Sequence, residues 1–170
     1  LSRCQHVRVS PLAAETVARF LTEKMQIDPS RSAVLSLLSA GSIGQALESN
    51  TEDVMAFRSE LGRLLSAAGG GDPMIPLSLA SFLGQDKKEV RHGLKILGSY
   101  FRDALVYKET VSADMIINAD DLAVVSSLAN RLRGEQILEN LSIVEKSGEM
   151  IELNVNKSLT LEAMAFKLHL

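Results

Sequence analysis

Cysteine is almost missing from this sequence: Cys4 is the only one among 170 residues. One cysteine can close no internal disulfide and supply no cysteine-rich zinc site, so the expected compartment is reducing. Tryptophan is absent and aromatic residues make up only 4%, which leaves Leu, Ile, Val, Ala and Met to build any core. No apolar run approaches the ~20 residues that cross a bilayer, and the polar stretch Leu1 to Val9 has no signal-peptide character. No membrane partner is expected. Because the first residue is Leu1 and not Met, the chain reads as a fragment of a longer protein or a processed product. The net charge of -3 gives no overall footprint for nucleic acid. His6, His92 and His169 lack any ligand spacing, so no metal and no cofactor is expected in this chain, and all three histidines read as solvated. Gly69-Gly70-Gly71 is not followed by the Gly-Lys-Ser/Thr of a phosphate loop, and there is no Gly-x-Ser-x-Gly elbow.

What is present is helical pattern. Hydrophobic residues reach 46%, enough for a real core. Ser10-Pro11 has the form of a helix start, with a capping side chain before a proline. Leu12, Val17, Phe20 and Leu21 continue on one side until Asp28-Pro29. Pro29 or Ser30 opens a second helix through Val34, Leu35, Leu37 and Leu38. Gly41-Ser42 breaks it, and Ser42 caps a short helix with Ile43, Ala46 and Leu47. From Thr51, the residues Val54, Phe57, Leu61, Leu64 and Leu65 recur at helical spacing. The glycine run and Asp72-Pro73 form a loop. Pro76 to Leu83 suits a short helix. Asp86 begins a long one, with Val90, Leu94, Leu97, Phe101 and Leu105 on one face and Gly93 and Gly98 within it. Residues 110–118 read as irregular. Two further helices carry Leu122 to Leu132 and Ile137 to Val144, punctuated by Gly134. Gly148 leaves the second one's end open. Asn154 and Asn156 precede a last helix with Leu159, Ala163, Phe166 and Leu170 on one side and Leu161, Met164 and Leu168 on another. The predicted fold class is all-α: a small three-helix unit, then a larger helical domain, divided near residue 50.

The side chains that could carry chemistry have plainer readings. Asp120-Asp121 at a helix start reads as a cap facing the helix dipole. Lys87, Lys88, Arg91, His92 and Lys95 could form an anion-facing strip, but Asp86 and Glu89 among them favour a solvated helix face. No convergent catalytic set appears.

Three segments are more specific. Leu1-Ser2-Arg3-Cys4-Gln5, followed by an alternating stretch and Pro11-Leu12, resembles the Ser-Arg-Cys motif that closes the nucleotide-binding domain of clamp-loader subunits. Leu38-Ser39-Ala40-Gly41-Ser42-Ile43-Gly44-Gln45-Ala46-Leu47 is similar to the Gly-Ser-x-Gly-x-Ala-Leu pattern in the lid of bacterial clamp-loader subunits of the delta-prime type. Asn154-Val155-Asn156 followed by Leu159-Thr160-Leu161-Glu162 resembles the end of such chains.

The resemblance to the delta-prime subunit of the bacterial DNA polymerase III clamp loader covers nearly the whole chain. It implies three parts: residues 1–5 as the end of a nucleotide-binding domain, 6–50 as an AAA+ lid, and 51–170 as a helical collar for oligomerisation. It implies that Arg3 acts as an arginine finger in trans on a neighbour's ATP, a fixed charged fork for the phosphates. It implies a degenerate sensor region at Gly41, Ser42, Gly44 and Gln45: the hydrolysing subunits carry an arginine where this chain has Gly44. It implies collar packing through Leu159, Ala163 and Phe166. The chain would then be no enzyme by itself but a non-hydrolysing stator of the holoenzyme in DNA replication. Its partners would be the gamma/tau ATPase subunits and delta, and indirectly the sliding clamp and primed DNA. The alternatives are the lid and collar of a gamma/tau-type ATPase subunit, a helical enzyme of another family, and an unrelated helical adaptor.

Overall fold

A computed structural model of the chain describes residues 10–50, 52–84, 86–112 and 115–170. Among the described residues every regular element is helical, so the all-α class predicted from periodicity is the observed one. The chain forms two compact units, Leu1–Asn50 and Thr51–Leu170.

The first unit holds α1 (Ala14–Met25), α2 (Pro29–Leu38) and α3 (Ile43–Glu48). Val17, Leu21, Leu35 and Ala46 make its core, with Phe20, Ile27 and Ile43 packed against them. Asp28 caps α2 by accepting from the Ser30 and Arg31 amides, with Pro29 at the first position, where its missing N–H costs nothing. The predicted start at Ser10-Pro11 needs correction: α1 begins at Ala14, and its N-cap Ala13 makes no side-chain bond. Tertiary contact explains the delay. The Leu12 amide donates to Gly41 O at 3.1 Å, so the chain ahead of α1 lies against the α2–α3 turn instead of coiling.

The second unit holds α4 (Glu52–Ala67), α5 (Ile75–Phe82), α6 (Lys87–Thr110), α7 (Leu122–Arg131), α8 (Gly134–Glu152) and α9 (Lys157–Lys167). Short 3-10 turns lie at Ala68–Gly70 and Ala119–Asp121. At 24 residues, α6 is roughly 36 Å long by the α-helical rise. Asp86 starts it with a capping box: its side chain accepts from the Lys88 and Glu89 amides, and Glu89 accepts from the Asp86 amide. The sequence shows one apolar face on α6. The structure also buries Ile96, Ser99, Tyr100, Asp103 and Ala104, so this helix is wrapped on more than one side. It packs most extensively against α8 and α7, while α9 packs against α5 and α8. Gly134 starts α8, and the helix runs through Gly148 without interruption.

Gly93 makes the crossing of α6 beneath α4 and α5 possible. A Cβ there would lie 2.9 Å from Leu83 O and 3.0 Å from Phe57 Cζ. Phe57 in turn stacks on Phe82, with ring centroids 4.5 Å apart, and so ties α4 to α5.

Candidate protein interaction surface

Ser2, Arg3 and Cys4 lie outside the described residues, as does His6. The other sequence-derived candidates fall in two places. In the first unit, Gly41 and Ser42 lie in the α2–α3 turn, and Gly44 and Gln45 lie in the first turn of α3. Gly41 has φ +80°, a left-handed conformation that suits glycine, and a Cβ there would sit 2.6 Å from Leu12 O. Ser42 Oγ accepts from the Gln45 amide at 3.3 Å, capping α3. Gly44 is different. It is exposed, and a Cβ would meet only Ser42 Oγ, at 3.8 Å. Local packing leaves room for a Cβ at this position.

In the second unit, α9 turns two faces in different directions. Thr160, Leu161, Met164 and Ala165 are buried against the domain. Leu159 and Phe166 are each 64% exposed, and Ala163 is exposed between them. Spacing of 3 and 4 residues puts these three on one side of the helix. Asn156 fixes the start of α9, accepting from the Leu159 amide at 3.1 Å. Buried Asn140 of α8 anchors the chain just past the end of α9: its Nδ2 donates to His169 O and its Oδ1 accepts from the His169 amide, both at 2.8 Å. Held at both ends, α9 carries a firm apolar outward face. Leu153, just ahead of it, is 78% exposed. Exposed aromatic and aliphatic groups on a rigid element are what protein interfaces bury.

The basic strip on α6 is tied down within the domain. Arg91 donates twice to Glu152 Oε1, at 2.9 and 2.6 Å, and Lys87 pairs with Glu152 Oε2 at 3.1 Å. Hydrogen bonds from Arg91, then Lys87, hold the Glu152 carboxyl below its usual range. The strip therefore staples the start of α6 to the end of α8. His92 and His169 are not free surface histidines as expected. His92 is half-buried, and burial, then Lys88, Lys95 and Arg91, lower its pKa. His169 Nε2 lies 2.9 Å from Glu139 Oε2.

Asp120 and Asp121 also correct the sequence reading. Asp121 makes no side-chain cap on α7. Instead Arg58 Nη1 and Nη2 donate to the two Asp120 oxygens at 2.6 Å each, and Tyr100 Oη donates to Asp121 Oδ2. Arg58 Nε donates to Asn118 Oδ1 at 3.1 Å. Asn118 donates its amide and its Nδ2 to Asp103 Oδ2, at 2.7 and 2.8 Å. Asp103 Oδ1 accepts from Arg102 at 2.8 Å. Burial opposes the charge on Arg58, but the Asp120 hydrogen bond and the surrounding negative groups more than offset it and raise its pKa. Burial, then the Asp121 bond, pushes the Tyr100 hydroxyl up. Such a network holds the α6–α7 connection down on α4 and α6. It presents a paired and satisfied set, with no spare nucleophile. The sequence did carry one sign of it: Arg58 stands four residues after Val54 and three before Leu61, on the apolar register of α4.

Comparison with curated proteins gave no match. The family model described as DNA polymerase III, delta subunit, C terminal, matches residues 52–169, which is the second unit almost end to end. The chain therefore belongs to that family, and with it to the clamp-loader machinery of DNA polymerase III.

Proposed function

We propose that the chain is the lid and collar portion of a delta-prime-type subunit: a stator that does not hydrolyse ATP and that assembles through its second unit with the gamma/tau ATPase subunits and delta, in the bacterial cytoplasm. The observation that carries this reading is Gly44. It lies exposed in the first turn of the α3 helix, with space for a side chain, at the position where the resemblance puts a sensor arginine in hydrolysing subunits. A glycine places no charge near a phosphate. The reading is further supported by the family match over 52–169 and by the exposed face of Leu159, Ala163 and Phe166 on a helix fixed at both ends. In this reading Arg3 reaches the ATP of a neighbouring subunit, and the chain needs no cofactor of its own.

The test mixes the full-length subunit with the ATPase subunit and delta of the same organism and weighs the species by light scattering after size exclusion. One copy of this subunit in a complex with both is the expected result. A subunit that stays alone at high micromolar concentration sinks the proposal. The family description names the delta subunit, so a delta role is the second reading. The same experiment separates the two: a delta-type chain displaces delta, whereas a delta-prime-type chain joins it.

A further inference from the structure

The stretch just ahead of α1 is held in place without a core. Ser10, Pro11 and Leu12 are all exposed, so the burial of their side chains does little to fix them. The backbone fixes them instead. The Leu12 amide donates to Gly41 O at 3.1 Å. The chain passes so close to Gly41 that a Cβ there would lie 2.6 Å from both Leu12 O and Pro11 Cβ, and 2.7 Å from Leu12 N. Pro11 adds stiffness of its own, because its ring locks φ.

The other side of this contact is equally firm. Ala40 and Gly41 both take left-handed φ, 49° and 80°, and turn the chain tightly between α2 and α3. The Ser42 amide donates to Ser39 O at 3.0 Å across the turn. Ser39 is fully buried, and its hydroxyl donates to Ser36 O at 2.8 Å. Ser42 Oγ caps α3. The turn is therefore tied to α2 on one side and to α3 on the other, and Gly41 is where the entering chain rests on it.

We infer that the Leu12–Gly41 contact is a pin that positions Arg3 for the ATP of the neighbouring subunit, with Gly41 as its socket. The inference rests on the trans role of Arg3 in the reading proposed above. Arg3 stands nine residues before Leu12, so its reach from a fixed Leu12 is at most roughly 30 Å. A guanidinium acts on phosphate charge only at hydrogen-bond distance and in the right orientation. Freedom in the entering chain therefore lowers the rate at the neighbour's site, while it leaves intact an assembly that the same reading gives to the second unit. The pin also gives the Gly41-Ser42 turn a use in a chain whose Gly44 supplies no sensor charge: the turn that resembles part of a nucleotide sensor seats the linker.

The test is Leu12→Pro in the full-length subunit. Proline removes the N–H that bonds Gly41 O and leaves the α2–α3 turn as it is. The position is exposed and lies ahead of α1, so the core of the first unit is kept. Mixed with the ATPase subunits and delta, the variant should assemble with wild-type affinity and show an unchanged KM for ATP. The kcat for ATP hydrolysis should fall by about half or more of the drop that Arg3→Ala causes in the same complex. Added to Arg3→Ala, Leu12→Pro should lower kcat no further, since both act on one path. Wild-type hydrolysis by Leu12→Pro overturns the inference. So does a loss of equal size with and without Arg3; both results leave the trans role of Arg3 standing. A Leu12→Pro subunit that fails to assemble, or whose first unit melts early, returns the contact to the stability of that unit and also overturns the inference. Arg3→Ala with wild-type hydrolysis removes the proposed role of Arg3, and the inference with it.

Discussion

Arg58 shows how one residue can settle a local structure. Its guanidinium is buried and its partner Asp120 is half-exposed. The pair is worth having only because the Asn118 acceptor and both Asp120 oxygens take up its donors. Arg58→Met keeps the apolar stem but leaves Asn118 Oδ1 without its donor and Asp120 without its counter-charge. The expected loss is about 2 kcal/mol, below the range for fully buried pairs because water screens Asp120. Urea unfolding of the second unit measures it. Arg58→Lys should recover little of this loss, since a single ammonium cannot make the two-pronged bond and also reach Asn118. Equal stability of wild type and Arg58→Met would mean that the network does not hold the α6–α7 connection.

Among the elements, α6 depends most visibly on its cap. Asp86 accepts from two amides of the first turn, at 2.7 and 2.9 Å. The Glu89 amide bond is the largest of the influences that lower its pKa. Linkage sets the sign. A carboxyl whose folded pKa lies below its unfolded value contributes stability above the ordinary Asp range near ~3.9. That contribution is lost as pH falls through the folded value. Asp86→Asn keeps an acceptor at the cap but does not titrate. Unfolding of wild type should therefore steepen with acid below about pH 4.5 more than that of the variant. Parallel stability curves from pH 7 to pH 3 would remove the cap from the acid sensitivity of α6.

At the scale of the whole molecule, the first unit has its own small core of Val17, Leu21, Leu35 and Ala46. The second is built around the fully buried Leu97, Tyr100 and Phe101 of α6 and Leu128 and Ile137 of α7 and α8. A unit of this length buries enough surface to fold alone. Residues 51–170 expressed alone should keep a helical circular dichroism spectrum and a cooperative thermal transition, and the complete chain should show a separate transition for the first unit in calorimetry. A 51–170 fragment without cooperative unfolding would show that its stability is borrowed from residues 1–50.

The helical class was written in the sequence because an amphipathic helix advertises itself locally. Spacing of 3 and 4 apolar residues, Asp28-Pro29, Ser42, Asp86 and Asn156 each fix a start or a face within one or two turns. The same locality explains the failures. Ser10-Pro11 has every local mark of a helix start, yet a backbone bond from Leu12 to Gly41 holds it extended. Asp120-Asp121 has the mark of a cap, yet Arg58 and Tyr100, 62 and 21 residues earlier, take both carboxylates. The candidate surface divides in the same way. The apolar register of Leu159, Ala163 and Phe166 was legible, but that it faces outward was decided by where α5 and α8 meet α9. Gly93 and Gly98 look alike in sequence. Only the tertiary structure separates them, because one meets Leu83 and Phe57 at close range and the other opens onto a groove. Sequence determines what a few neighbouring residues can settle between themselves, whereas partners distant along the chain exist only once the helices have packed.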